Sequence, residues 1–361
     1  MRILIDASRL NTEKPTGTNN FLFNLIFETS LADQKNKYTL CFKNSPSSEY
    51  FEKLTNKNPN FELKIISKKY VWNQLYFALE TYSRNYDLIL CPWQTMPIFY
   101  DRSKMLVSVI HDEGFNLKTK IMTLLTCHLS GKLICVSNFS KSEISSKYFV
   151  QSSKIDVIYE GGLLNTNFEQ IELSKLMKKY NISDKFILFV GTFEERKNIL
   201  NMIKAFESSK LYENYQFLLL GKSGDSFNAV SNYIESRSLS NKIKMLGFVS
   251  IADYLNLLKN ALFLSFVSKK EGFGIPPLEA MNIGTPVLTS NTSSLGEIYA
   301  DSALLATPTD VDEIARSMNE FLNEAKRAEY IRKGTDKSLK MSWKKTAESF
   351  INYINKHEKS N

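Results

Sequence analysis

Histidine and cysteine are scarce in this sequence: three histidines and four cysteines serve 361 residues. None of the cysteines stands in C-x-x-C spacing, so a structural zinc site has little to be built from and no metal is expected. Cys91, Cys127 and Cys135 sit in apolar surroundings ("LILCP", "LLTCH", "KLICV") and read, with Cys41, as buried reduced thiols of a cytoplasmic protein. No apolar run reaches the roughly 18 residues of a spanning helix. The opening "MRILIDASRL" lacks the long apolar stretch and small-residue cleavage site of a signal peptide. Three chemistries are missing their signatures. "GKSGD" is no Walker A loop, because no glycine stands five positions before Gly221. No G-x-G-x-x-G follows the first strand, which weakens a dehydrogenase reading, and there is no G-x-S-x-G nucleophile elbow.

A polybasic block is also missing. The chain carries 46 Lys and Arg against 38 Asp and Glu, a net charge of +8, but the two signs are interspersed. That argues against nucleic acid as a partner. It leaves a mildly basic surface, an anionic ligand or an anionic membrane face. A hydrophobic content of 43% and a charged content of 23% are those of an ordinary globular protein. The length favours two domains.

What is present is alternation. "RILIDAS", "YTLCFK", "FELKIIS", "DLILC", "MLVSVI", "KLICVS" and "KIDVIYE" read as strands, several separated by helical patterns. The strands are continuously apolar, as in a parallel sheet covered on both faces. From about Gly161 to Asp184 the pattern loosens into a linker with one helix, "EQIELSKLMKKY". The alternation then restarts with "FILFVG", "YQFLLLG", "IKMLGF", "ALFLSFV", "TPVLTS" and "ALLAT". A helix is expected over "DVDEIARSMNEFLNEA", and a last helix over "SWKKTAESFINYINKH" has no strand after it. The expected fold is α/β, two doubly wound Rossmann-like domains facing each other across a cleft. The expected divisions are 1–165, 166–340 and a C-terminal helix, 341–361, crossing back to the first domain.

Ligands of open parallel sheets bind beyond the carboxyl ends of the strands. In the first half that places Gly17, in the turn "KPTGT", and His111-Asp112 at a candidate site. In the second half it places Gly191, at the head of "GTFEERKN", and the stretch "SKKEGFGIPPLE". Gly272 and Gly274 allow backbone to approach a ligand. Pro276 or Pro277 suits a first helical turn, whose amides favour an anion. Glu279 is expected in that first turn, at the mouth of the site. A carboxylate there suits hydroxyls better than phosphate, although it would also complement the helix dipole. Arg196 and Lys197 supply phosphate-binding cations, or a solvated basic pair. His111 reads as a buried, satisfied histidine or as a contact to a substrate hydroxyl.

These residues resemble a known family. "EGFGIPPLE" is similar to the E-x7-E signature of retaining GT-B glycosyltransferases, glycosyltransferase family 4 (group 1). "FILFVGTFEERKNILNMIKAF", "IKMLGFVS", "EAMNIGTPVLTSNTSSLGEI", "DSALLATPTDVDEIARSM", "VSVIHDEGF" and "CVSNFSKSEI" extend the likeness over essentially the whole chain. The subgroup it resembles most contains bacterial mannosyl- and rhamnosyltransferases of polysaccharide assembly. Three stretches depart from the family: "TGTNN" where G-I-G-[RN] is usual, "YEGGL" where P-N-G-[VI] is usual, and "VSKK" before Glu271.

The resemblance implies roles. Arg196 and Lys197 would bind the donor diphosphate and stabilise it as it leaves. Glu279 would hold ribose hydroxyls. Glu271 would contact the donor sugar, with the amides of Phe273, Gly274 and Ile275 on sugar and phosphate. His111 would lie at the sugar's other side, and Gly17 and Gly191 would give the diphosphate room. The implied reaction moves a hexosyl residue, first of all mannose from GDP-mannose, from a nucleotide-diphosphate sugar to a saccharide or lipid-linked acceptor. It retains configuration and needs no metal or other cofactor. The aromatic stretch Ser67–Tyr82, which begins with basic residues, is either a core helix or a membrane-leaning helix. The latter would put the protein peripherally on the inner face of the cytoplasmic membrane. A sugar-nucleotide epimerase of the same fold, or a non-catalytic partner of another glycosyltransferase, is the alternative.

Overall fold

The computed structural model describes residues 1–10, 17–46, 51, 54, 56, 58–68, 70–83, 85–114, 117–162 and 168–358. The chain divides into two compact units. The first holds Met1–Gly161 and Trp343–Asn361, the second Gly162–Ser342. The sequence reading placed these divisions at residues 165 and 341.

In the first unit, β1 (Arg2–Asp6) is followed by α1 (Gly17–Ala32), β2 (Lys37–Phe42) and β3 (Phe61–Ile65). A π-helical turn, Trp72–Phe77, runs into α2 (Ala78–Ser83). Then come β4 (Leu88–Cys91), β5 (Met105–Ile110), α3 (Leu117–Leu129), β6 (Lys132–Cys135), α4 (Asn138–Lys147) and β7 (Ile155–Val157). The strands form one parallel sheet in the order β3-β2-β1-β4-β5-β6-β7. The central strands are buried because their sequences are apolar on both faces: Ile3, Leu4, Leu88, Ile89 and Leu90 have no exposed surface. The four cysteines are free buried thiols in this unit, and burial pushes Cys127 up to about 12. Of the "KPTGT" turn, Lys14, Pro15 and Thr16 lie outside the described residues, and Gly17 opens α1.

The second unit begins with α5 (Leu173–Tyr180), inside the expected linker; residues 163–167 of that linker lie outside the described residues. It continues β8 (Phe186–Val190), α6 (Ile199–Ser208), β9 (Gln216–Leu220), α7 (Phe227–Ser236), β10 (Ile243–Gly247), α8 (Ile251–Asn260) and β11 (Leu264–Phe266). After these stand α9 (Ile275–Asn282), β12 (Val287–Ser290), α10 (Ser293–Tyr299), β13 (Leu304–Ala306), α11 (Val311–Glu320) and α12 (Glu324–Lys340). The parallel sheet order is β10-β9-β8-β11-β12-β13. The single helix expected over residues 310–325 is in fact broken. α11 ends as Phe321 turns into the core, fully buried. Asn323 then caps α12, accepting from the Lys326 amide at 3.1 Å. Nothing in its polar sequence announced α12, which buries Gly334 and Ser338 and packs against α9 with Gly334 over Met281.

The last helix, α13 (Trp343–Glu358), belongs to the first unit. It packs along α1, with the Phe21 and Trp343 rings edge to face at 5.9 Å. Thr346 Oγ1 donates to the Tyr159 carbonyl at 2.9 Å. Among the described residues no helix is long and apolar enough to cross a membrane.

Candidate functional site

The strand order of the second unit reverses between β8 and β11, which are hydrogen-bonded neighbours. At such a switch point the two following loops turn to opposite sides and leave a crevice. The loop leaving β8 carries Gly191 and, in a 3-10 turn, Glu195–Lys197. The loop leaving β11 carries Glu271–Gly274. A backbone bond joins the loops: the Lys269 amide donates to the Arg196 carbonyl at 2.8 Å.

Arg196, Lys197 and Glu271 therefore meet. Arg196 Nη1 lies 2.8 Å from Glu271 Oε2, and Lys197 Nζ lies 2.6 Å from Glu271 Oε1. Arg196 Nε also pairs with Glu194 at 2.7 Å, and the Lys197 ammonium stands 5.1 Å from the centre of the Phe266 ring. Burial pushes the Glu271 carboxyl up, but Lys197 and Arg196 outweigh it and hold the group below its ordinary range. Glu271 is thus the counter-ion that holds two cations at the strand ends. Asn198 fixes the turn from below. It adopts a left-handed conformation (φ 61°), and its amide donates to the carbonyls of Val267 (3.0 Å) and Pro308 (2.6 Å).

Helix α9 starts where the glutamate loop ends. Gly274 is its N-cap at φ 89°, a region that favours glycine. A Cβ there would stand 2.5 Å from Leu295 Cδ2. Pro276 and Pro277 occupy the first turn and carry no N–H, so the amides at the helix start are those of Gly274 and Ile275. The sequence places Glu279 in this turn; it lies just beyond it, as the fifth helical residue, because the helix begins at Ile275 rather than at a proline. Its carboxylate accepts from the Tyr254 hydroxyl at 2.7 Å. Burial pushes Glu279 above its ordinary value, and the Tyr254 bond only partly opposes this. The two glutamates of one motif are therefore in opposite surroundings: Glu271 is ion-paired, while Glu279 has a neutral partner.

Several supports went unseen in the sequence. Ser294 Oγ donates to the carbonyls of Glu271 and Phe273, and Tyr299 donates to that of Gly274 at 2.6 Å. These groups of "NTSSLGEIY" hold the "EGFG" loop in shape, with Phe273 buried beneath it. At the end of β9, a Cβ on Gly221 would fall 1.9 Å from the Gly191 carbonyl oxygen. Gly191 and Gly221 thus let two adjacent strand ends touch beside the site. Tyr254 sits in an ordinary amphipathic helix, α8, where no spacing marks it.

In the first unit His111 follows β5. Its Nδ1 faces Glu160 Oε1 at 3.0 Å, its Nε2 faces the Pro92 carbonyl at 3.2 Å, and Phe21 packs edge-on at 4.9 Å. Both ring nitrogens are thus engaged within the unit. Glu160 lies in "YEGGL", one of the stretches that depart from the family pattern. Gly17 is exposed, with no atom within 4 Å of where a Cβ would stand. The Ser67–Tyr82 stretch buries Trp72 and Phe77 but leaves Tyr70, Val71, Leu75, Leu79 and Tyr82 exposed. Val71 is left-handed (φ 47°), an uncommon state for a β-branched residue, at the entry to the π-helical turn. Lys69 lies outside the described residues.

Residues 174–338 match the family model of the glycosyl transferases group 1. The O-antigen chain mannosyltransferase B of Escherichia coli is 30% identical over 231 residues, 62% of this chain and 60% of that protein. The serotype-specific mannosyltransferase WbdA of Escherichia coli is 28% identical over 271 residues, 71% of this chain and 32% of that protein. The chain thus spans less than two thirds of the length of either relative. The crystal structure of Anabaena HepE in complex with UDP and glucose superposes with a TM-score of 0.73 at 18% identity, covering 99% of this chain and 100% of that one. That likeness shows the fold, GT-B with two Rossmann-like domains.

Proposed function

We propose, from the match of residues 174–338 to the glycosyl transferases group 1 and the resemblance to mannosyltransferases, that the chain is a group 1 glycosyl transferase whose second unit holds the diphosphate of a nucleotide sugar and which transfers the hexosyl group to a saccharide or lipid-linked saccharide. The observation that carries this is the meeting of Arg196, Lys197 and Glu271 at the β8/β11 switch point. The two cations, with the amides of Gly274 and Ile275, face the position where charge develops on a departing diphosphate. Glu271 keeps them in place and turns to the sugar when the diphosphate takes over the pairing. Glu279 takes ribose hydroxyls. For His111, whose ring nitrogens face Glu160 and the Pro92 carbonyl, and for Gly17 the family resemblance alone implies roles on the sugar and the diphosphate. Mannose from GDP-mannose is the first donor to try, because the relatives named above are mannosyltransferases. Retention of configuration follows from the family resemblance. The charge of the leaving group is met by side chains and amides, with no metal or cofactor required.

The test is a melting scan against GDP, UDP, dTDP and ADP without added metal. One nucleotide at about 100 times its dissociation constant should stabilise the protein by about 2.7 kcal/mol. The shift should vanish in Glu279→Ala. No shift with any of them overturns the reading. Incubation with the matching nucleotide sugar then separates transfer from epimerisation, since an epimerase releases a changed sugar without an acceptor.

We also propose peripheral contact with an anionic membrane through the first unit, supported by the exposed row Tyr70, Val71, Leu75, Leu79 and Tyr82. Sedimentation with vesicles containing anionic lipid at low salt should carry the protein down. Leu75→Asp with Leu79→Asp should leave it in the supernatant. Equal sedimentation of both forms counts against this surface.

A further inference from the structure

The first unit has a switch point of its own. Its strand order reverses between β1 and β4, which are hydrogen-bonded neighbours, and a ligand crevice is expected beyond their carboxyl ends. β1 ends there in Asp6, a carboxylate 1% exposed that has no part in the proposed chemistry. A buried carboxylate costs stability unless its charge is met. Among the described residues Asp6 has no cation at ion-pair distance. Its Oδ1 accepts from the Ser8 amide at 3.0 Å, and its Oδ2 from Asn73 Nδ2 at 3.0 Å. Its backbone carbonyl accepts from Trp93 Nε1, just beyond β4, at 3.2 Å. Asp6 therefore ties the ends of β1 and β4 to the π-helical turn.

Polar groups with capacity to bind a ligand surround this tie. Arg9 is exposed, yet its head is fixed. Nη2 donates to Thr95 Oγ1 at 3.2 Å, and the guanidinium stands 5.4 Å from the centre of the Trp93 ring. Asn19, from α1, donates to the Arg9 carbonyl. Arg9 has no carboxylate partner among the described residues, so a pre-set fork of N–H donors is left over for an oxyanion. Asn73 lies in the π-helical turn, a form frequent at functional sites. Half-buried, it uses one N–H on Asp6 and one lone pair on Gln74. One N–H and one lone pair remain, the complement of a hydroxyl.

We infer that this switch point is a second saccharide subsite, for an acceptor that carries an oxyanion: Arg9 takes the anion, Asn73 takes a hydroxyl of the same molecule, and Asp6 is a positioning residue that fixes Asn73. This rests on the proposed transfer reaction, which requires a second saccharide. A phosphoryl group and a sugar carboxylate share the chemistry Arg9 recognises.

The experiment is calorimetric titration of the full chain with hexose 1-phosphates, methyl hexuronides and neutral methyl hexosides of the gluco, manno and galacto series. Each is run with and without the nucleoside diphosphate that raises the melting temperature, because bound nucleotide keeps anions off Arg196 and Lys197. One acidic form should bind about tenfold or more tighter than its neutral counterpart, as expected for hydrogen bonds to a charged group. Whether phosphate or uronide wins names the anion. In Arg9→Gln the ratio should collapse toward one while the nucleotide shift persists. Asn73→Ala should weaken acidic and neutral forms by the same factor. Asp6→Asn should do likewise, and combined with Asn73→Ala it should weaken binding no further, whereas a merely structural Asp6 would add its own loss. Acidic and neutral forms bound equally, or neither bound, by the wild type would overturn the inference. So would a ratio that survives Arg9→Gln. Additive losses in the double variant would overturn the role of Asp6. Absence of any nucleotide shift would strike the donor site instead, and the nucleotide-free ratio in Arg9→Gln would still decide this subsite.

Discussion

Arg196 and Glu271 lie 75 residues apart in sequence and 2.8 Å apart in the fold. The contact exists because β8 and β11 are neighbours and the loops beyond them are tied by a backbone bond between Lys269 and Arg196. Removing the guanidinium in Arg196→Ala leaves a buried carboxylate with Lys197 alone. The loss of stability should be no more than about 3 kcal/mol, since one partner remains. On the proposed site, turnover should fall further, by about 10²- to 10³-fold, because one donor to the leaving group is removed. Urea denaturation and initial rates on the same preparation separate the two effects.

The two glutamates predict opposite pH behaviour. Glu271 titrates below its ordinary value of 4.5 in the fold. Its contribution is present above that value and is lost as pH falls through the folded one. Glu271→Gln should therefore lower stability at neutral pH and flatten the acid limb of the stability curve. Glu279 titrates above 4.5, so its ionisation costs stability as pH rises from 4.5 through the folded value. Glu279→Gln should raise the melting temperature at pH 7 while weakening nucleotide binding. Melting curves from pH 4 to pH 8 test both signs; the same sign in both variants contradicts the assignment.

Two glycines should answer differently to alanine. In Gly221→Ala the new methyl would overlap the Gly191 carbonyl, and the strand ends must part, at a cost of about 1–3 kcal/mol or more. Nucleotide affinity should fall with stability. Gly17 opens a helix with open space where the methyl would go. Gly17→Ala should hold or slightly raise the melting temperature, so any loss of activity there reports on ligand approach. Thermal melts paired with activity assays distinguish the cases.

Asn198 ties the cationic turn to two carbonyls. Asn198→Ala takes this donor from the Val267 carbonyl, leaves the Pro308 carbonyl with Asn201, and puts a non-glycine residue with no polar side chain into a left-handed conformation. The expected cost is about 1–3 kcal/mol. Donor affinity should weaken as well, because Arg196 and Lys197 lose their anchor. A variant as stable and as tightly binding as wild type would contradict this.

The sequence made the sheets legible because parallel strands buried on both faces, such as "FILFV" and "MLVSVI", are short, largely apolar runs, and their length and flanks set them apart from buried helices. It made Arg196, Lys197 and Glu271 legible because strand ends can be read from those runs. Helix α12 was not legible: its buried face is small residues, Gly334 and Ser338, and carries no apolar period. Tyr254 and Glu160 were hidden for another reason. Each acts by meeting a residue more than twenty positions away, and one chain read alone records no such pairing. The position of Glu279 was misjudged by one or two residues because either of two prolines could open a helix, and Ile275 preceded both.

The chain leaves its first unit after Gly161 and re-enters it at Trp343. The second unit is therefore one uninterrupted stretch, while the first is stitched from two. During synthesis the second unit has its whole sequence available before the first does. Until Trp343 and its helix emerge, α1 presents the Phe21 side on which α13 later packs. The helix that follows the second unit in the chain is thus needed to complete the unit that precedes it. A chain stopped short of Trp343 would hold a first unit without its closing helix.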